Sequence, residues 1–276
     1  MDSGIIACAV VPHTPRMAIE ADAPHFVSPL IEGLREFGEW LDQLAPDCVV
    51  LQSTHWVSTF NWFTTAHPRH TGLCVADEAP DIIPGLPYDY PGDAELARAI
   101  ADAGNQNEVP FRLNDCEHYR WDYGAYVPLH YIDPAGQRPV VTLPTVVLAD
   151  LEECMQVGAC VDQAARNAGR RVVFVASTAL SHALVRGPEQ WPENHRRELD
   201  QTFIEMLHSQ DVAAMRDWLP TYAQDAVAEM GGRVLAGFIG ALDAMTPPSF
   251  GVRQFGAYAQ SSGSGNQTLA CSPLLS

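Results

Sequence analysis

GIIACAVV at residues 4–11, SPLIEGLREFGEWLDQLA at 28–45 and CVVLQST at 48–54 decide the fold class. The first and third runs are apolar, rich in β-branched residues and short, which reads as two buried strands. Between them Leu30, Leu34, Phe37, Leu41 and Leu44 fall on one face at helical spacing. Ser28 suits a cap and Pro29 the first helical position. Strand, helix, strand within about fifty residues is a βαβ unit, which implies a parallel pair with a right-handed crossover.

Working outward, the same alternation continues. Residues 139–148 and 171–177 are strand-like, and residues 151–168 between them form a helical pattern stopped by Gly169. Asp93 caps a helix running to about Ala103, which Gly104 ends. From about Pro192 the chain turns helical. Leu199, Phe203 and Leu207 make one apolar face. Val227, Val234, Leu235, Phe238, Ile239 and Leu242 make another, after Tyr222. Residues 57–92 hold many Pro, Gly, Asp and aromatic residues and read as a long irregular excursion, with short strands near Trp62–Thr65 and Gly72–Val75. A loop that long in a compact domain is usually functional. No internal repeat or interior linker is evident. The expectation is one α/β domain with a mainly parallel central sheet flanked by helices. It spans residues 1–260 and is followed by a loose or partner-dependent Ser/Gly-rich tail at 261–276.

The 276 residues are 47% hydrophobic and 18% charged, ample material for a core. Acidic residues outnumber basic ones 34 to 16, a net charge of −18. Such a surface repels phosphate backbones and anionic lipids, which argues against nucleic-acid and membrane partners. No apolar run is long enough to span a bilayer, and the opening Met-Asp-Ser-Gly lacks the basic start of a signal peptide. The seven cysteines are widely spaced with no CxxC pair, the pattern of a reduced, cytoplasmic protein. P-loop, nucleophile-elbow and HExxH motifs are absent.

Three histidines follow buried strands: His13 after GIIACAVVP, His55 after VVLQST and His182 after VVFVASTALS. Ligands of open parallel sheets bind at the carboxyl ends of the strands. Three imidazoles delivered to one edge can converge on a transition metal, or each can be a satisfied polar residue of its own loop. His25, His67, His70, His195 and His208 read as solvated. Two His and one carboxylate would leave open positions on Fe(2+). Glu229, in AVAEMGGRVL, is the candidate carboxylate, set against a plain helix-surface Glu. Gly231 and Gly232 favour the former, since two glycines inside a helix point to close backbone packing.

Several pieces, in order over nearly the whole chain, resemble the class III extradiol ring-cleaving dioxygenases. This is the LigB superfamily, which includes the catalytic subunits of protocatechuate 4,5-dioxygenase and 2-aminophenol 1,6-dioxygenase. The pieces are Pro12-His13-Thr14-Pro15, Thr54-His55-Trp56, Tyr90 through Ala97, Asp122-Tyr123-Gly124 before Val127-Pro128-Leu129, Ala176 through His182, and Ala228 through Arg233. The resemblance implies that His13, His55 and Glu229 ligate Fe(2+) and that His182 is an acid/base beside the substrate. It also implies a small aromatic substrate with O2, and a homo-oligomer or a heteromer with a small partner subunit. Most relatives carry Asp-His-Gly where this chain has Asp122-Tyr123-Gly124. The same Tyr marks the branch that opens 2-aminophenols, which shifts weight toward such substrates. His118, five residues earlier, is an alternative source of the missing imidazole. Trp56, Trp121 and Tyr126 are candidates for the pocket wall or for the core. A zinc enzyme and a metal-free binding protein on the same scaffold are the rival readings.

Overall fold

The computed structural model describes residues 3–275. Met1 and Asp2 of the expected leaderless start, and Ser276 of the expected tail, lie outside them. The chain opens with strand β1 (Gly4–Val11), helix α1 (Ser28–Leu44) and strand β2 (Cys48–Ser58). Short strands β3 (Trp62–Thr65), β4 (Arg69–Val75) and β5 (Pro84–Pro91) occupy the excursion. Helix α2 (Ala94–Gln106), strand β6 (Phe111–Asn114), helix α3 (Tyr123–Ile132) and strand β7 (Val140–Val146) follow. Then come helix α4 (Leu151–Asn167), strand β8 (Arg171–Ser177) and helices α5 (Asn194–Ser209), α6 (Val212–Asp225) and α7 (Arg233–Ala244). Strands β9 (Gly251–Ser261) and β10 (Ser264–Ser272) close the chain.

The central sheet has six strands in the order β7-β2-β8-β1-β10-β9. The first four are parallel, and β10 and β9 add an antiparallel edge. This is the α/β architecture expected from the alternation of apolar runs. The first βαβ unit differs in one respect: β1 and β2 are not adjacent, because β8 lies between them. Val11 and Ser53 both register on Ser177, so β1, β2 and β8 pair up to one common row, where β1 and β8 end and β2 continues beside β7. Residues following that row reach the same edge of the sheet. Strands buried on both faces read as continuous apolar runs, and β1 and β7 are buried at every residue. One face packs on α1 and α3 through Leu34, Phe37, Leu41 and Val127. The other packs on α4 and α7 through Val157, Val161, Phe238 and Leu242.

Local signals mostly act as their chemistry dictates. Asp93 caps α2 by accepting a hydrogen bond from the Leu96 N–H at 2.9 Å. Helix α2 continues past Gly104 to Gln106, since the missing side chain there makes room for the Phe111 ring. Ser28 does not cap α1. A single 3-10 turn, His25–Val27, runs straight into the helix and leaves Ser28 inside it. The helical pattern after Tyr222 is broken: α6 ends at Asp225 and α7 begins at Arg233. Val227, Met230, Gly231 and Gly232 between them all have positive φ, so Val227 is not on the α7 face.

The expected tail at 261–276 is the largest correction. Residues 264–272 are β10, buried along its whole length beside β1. Much of the polar composition that suggested a loose tail is paired internally. Asn266 Nδ2 donates to Ser264 Oγ at 2.9 Å, Gln267 Nε2 to the Phe255 carbonyl at 2.8 Å and Ser272 Oγ to the Ile6 carbonyl at 2.7 Å. Buried polar groups are tolerated when paired in this way.

Candidate active site

His13 and His182 follow β1 and β8, whereas His55, expected after its strand, lies within β2, two residues past Ser53, the last residue paired with the intervening β8. Neighbouring strands lie about 4.8 Å apart, so β1 and β2 are roughly 10 Å apart across β8. Two imidazoles leaning inward close that gap: His13 Nε2 and His55 Nε2 are 3.1 Å apart. Glu229 Oε1 lies 3.4 Å from His13 Nε2 and 3.6 Å from His55 Nε2. These three donor atoms all fall within 4.8 Å of one another. With metal–ligand bonds of about 2.1 Å, neighbouring ligands stand about 3.0 Å apart at right angles and about 3.4 Å in a tetrahedron. The separations fit a divalent transition metal held on one face by two nitrogens and one oxygen.

The tautomer of His13 suits that task. Ser177 Oγ donates to the Gly124 carbonyl at 2.5 Å and is 3.1 Å from His13 Nδ1. With its own proton engaged, the hydroxyl accepts from Nδ1–H, which leaves the Nε2 lone pair free to face the metal position. His55 is set through its backbone. Its N–H donates to Ser53 Oγ at 3.1 Å, and Ser53 Oγ donates to Asp122 Oδ1 at 2.5 Å. Asp122 also caps α3, accepting from the Ala125 N–H at 3.2 Å. One carboxylate thus links the His55 strand to the helix that begins with Tyr123.

Glu229 is buried, at 3% exposure, on a 3-10 turn rather than on a helix surface. Its Oε2 accepts from the Ala179 N–H at 2.7 Å and from Thr178 Oγ1 at 3.2 Å. Its Oε1 faces the imidazoles. Burial alone would push this carboxyl up, but His13, His55 and His182 hold it well below the usual carboxylate range. His182 Nε2 is 3.2 Å from the same oxygen. Burial draws the His182 imidazole below its ordinary value, and Glu229 opposes that pull. The His182 main chain is tied to both sides of the site. Its N–H donates to the Val227 carbonyl at 3.0 Å, and it bridges to Ser264 of β10.

The Tyr123 ring lies against His55, with centroids 3.9 Å apart. Its hydroxyl makes no hydrogen bond to a described residue, and burial, then the nearby Glu229 carboxylate, pushes its pKa well up. It therefore stays a neutral phenol.

A cavity of about 270 Å³ opens over these groups. It is lined by His13, His55, His182, Glu229 and Tyr123 together with residues the sequence did not single out, above all Arg16, Ser261, Ser264 and Asn266. The serines and Asn266 come from the segment read as a tail, so only their place in β9 and β10 could have revealed them. The other candidates fall elsewhere. His118 is exposed and not on the cavity wall. Trp121 stacks on Tyr88 in the core, Tyr126 is buried with it, and Trp56 packs against Tyr119. His70, expected to be solvated, is buried with Nε2 at 2.9 Å from the Val140 carbonyl.

The chain is 21% identical to the 3,4-dihydroxyphenylacetate 2,3-dioxygenase of Escherichia coli over 206 residues, 72% of this chain and 75% of that protein. It is 24% identical to the beta subunit of a Pseudomonas 2-aminophenol 1,6-dioxygenase, covering 82% of this chain and 81% of that one. The alpha subunit of that enzyme is also 24% identical, with 87% and 90% covered. Among solved structures, an uncharacterized protein of Escherichia coli K12 matches with a TM-score of 0.66 at 17% identity, covering 96% of this chain and 99% of that one. It shares the fold. The family model for the catalytic LigB subunit of aromatic ring-opening dioxygenase matches residues 7–259, so the chain belongs to that family of ring-opening dioxygenases.

Proposed function

We propose that the protein is an extradiol dioxygenase that uses Fe(2+) to open a catechol or 2-aminophenol-type ring, giving a muconic semialdehyde-type product. The observation that carries this reading is the His13, His55 and Glu229 donor set at the floor of the cavity. Two neutral imidazoles and one carboxylate suit a divalent iron and leave open positions for two further ligands. When bound there, the metal would supply a common centre for the aromatic and O2, removing the entropy cost of their encounter.

The protein's own groups then have separable roles. Ser177 holds His13 in one tautomer, and the Ala179 N–H and Thr178 hold Glu229 from behind. His182, drawn toward its neutral form by burial, is equipped to take a proton from the substrate hydroxyl and return it later. Tyr123 offers a neutral hydroxyl to the second ring heteroatom. An amino group differs from a hydroxyl in its protons, and a phenol can donate to or accept from either. A 2-aminophenol-type substrate is therefore our preferred choice.

The alpha and beta subunits among the relatives support assembly as a homo-oligomer or with a partner subunit. Seven free cysteines, six of them buried, support a cytoplasmic setting. No helix among the described residues is long and apolar enough to cross a membrane.

Oxygen uptake by protein loaded anaerobically with iron, against a panel of catechols and 2-aminophenols, tests the reading. Uptake matched by ring-opened product is expected. Activity that follows zinc rather than iron, or no uptake with any ring, would overturn it.

A further inference from the structure

The sixteen basic side chains of this sequence are all arginines. Among the described residues the side chains of Arg16, Arg112 and Arg186 have no ion pair, hydrogen bond or ring contact. Arg112 and Arg186 are exposed, where water solvates them. Arg16 is half-buried on the wall of the candidate site. A guanidinium partly withdrawn from water without a counter-charge is costly. The chain has 34 acidic residues, more than enough to supply a partner, yet none among the described residues forms an ion pair with it.

The position of Arg16 is fixed by its turn. The Met17 N–H donates to the Thr14 carbonyl and the Ala18 N–H to the Pro15 carbonyl, both at 3.0 Å. Tyr131 OH donates to the Met17 carbonyl at 2.5 Å, and Thr14 Oγ1 is 2.8 Å from Ser261 Oγ. The turn begins one residue after His13, so Arg16 and a metal-site histidine share a short, pinned segment. The remaining charges give direction. Glu229 is engaged with the imidazoles and the Ala179 N–H. Glu78 stands 3.9 Å from His55 Nδ1, which makes the His55 side of the opening repel an anion. The facing residues Ser261, Ser264 and Asn266 are neutral.

We infer that Arg16 sets substrate specificity by binding a carboxylate carried on the substrate ring, on the His13 side of the cavity. The identity of the ring rests on the ring-cleavage reading above; the preference for an anion does not. The guanidinium fork matches a carboxylate in two parallel hydrogen bonds. The cavity volume, about 270 Å³, sits just under the ~300 Å³ lower end of common small-molecule sites, which suits a single substituted ring.

The test is anaerobic calorimetric titration of the metal-loaded protein with 3,4-dihydroxybenzoate and its carboxamide, which differ in charge but little in shape. The wild type is expected to bind the carboxylate more tightly, with a preference that shrinks at high salt. Arg16→Gln should weaken the carboxylate roughly 10- to 100-fold more than the amide, and Arg16→Lys should retain part of the preference. Equal losses on both ligands, or tighter binding of the amide by the wild type, would overturn the inference. Should Arg16→Gln not fold, a wild-type preference insensitive to salt would overturn it equally. Oxygen uptake on the same ligands separates the two proposals. A carboxylate preference without uptake upholds Arg16 and removes the dioxygenase, while uptake with no preference does the reverse.

Discussion

The two sides of the donor set are built differently. His13 follows the end of β1 and His55 stands within β2, and in both strands hydrogen bonds to β8 fix the backbone up to two residues before the histidine. Glu229 sits on a turn in which Met230, Gly231 and Gly232 all adopt left-handed backbone angles. Regular pairing leads into the histidines; a few local contacts and a left-handed turn, strained at Met230 and dependent on two glycines, hold the carboxylate. The histidine side should therefore tolerate backbone substitution nearby. The glutamate side should not, and it is where a small backbone change can uncouple metal binding from folding.

Removing a donor from either side has the largest expected effect. His13→Ala and Glu229→Gln should each lower iron affinity by more than the roughly 10- to 100-fold seen when outer partners of a metal site are lost. Activity should fall with it. Metal content after gel filtration and circular dichroism check both halves of this statement. Retained iron and turnover in Glu229→Gln would break the comparison by removing one of its sides. His182 should behave otherwise. His182→Ala is expected to keep its iron and lose about 10²- to 10⁴-fold in turnover, as when a general acid/base is removed. Burial lowers the pKa of His182, so the base form persists below its ordinary value of about 6.5, and the acid limb of kcat/KM should lie on that lower side. Loss of iron in His182→Ala would instead make it a ligand.

A pair of glycines sharpens the contrast further. Gly232 has φ +77°, and a Cβ there would stand 2.9 Å from the Ala223 Cβ. Gly169, after α4, has φ +65° with nothing within 4 Å of the added atom. Both alanine variants carry backbone strain of about 1–2 kcal/mol, measurable by urea unfolding. Only Gly232→Ala should also weaken iron binding, since it moves the turn that carries Glu229. Equal iron affinity in the two variants would show that the turn is not what places the carboxylate.

The same contrast explains what the sequence could reveal. His13, His55 and His182 were legible because each comes within a few residues of an apolar run, and such runs mark buried strands that lead to a shared edge. The long helices α1 and α4 were legible from their spacing. Glu229 was readable only through the family resemblance and its two glycines, because no periodicity describes a left-handed turn. Strand β10 was misread for a related reason. Its Ser, Asn, Gln and Thr residues look like a solvated tail until their partners in the Phe255 and Ile6 backbone are known. Arg16 and the β10 side chains on the cavity wall escaped because their role depends on pairings between segments about 250 residues apart.

Tyr123 gives the smallest expected effect and the finest test, since it touches the histidine side without belonging to it. Its ring rests on His55, and α3, which it begins, is capped by Asp122, the acceptor for Ser53. Tyr123→Phe keeps the ring and removes only the hydroxyl. If the hydroxyl serves the substrate, kcat/KM on a 2-aminophenol should fall by roughly 10-fold, the scale of one lost hydrogen bond of about 1.4 kcal/mol. Iron content should stay unchanged. Tyr123→His brings a group that can carry a proton near pH 7, where the buried phenol stays neutral, and should move the catechol-to-aminophenol ratio toward catechols. Wild-type kinetics for Tyr123→Phe on every ring would reduce the residue to a prop for His55. Iron loss in that variant would go further, because the ring itself is retained and only a hydroxyl with a part in holding the metal could then account for it.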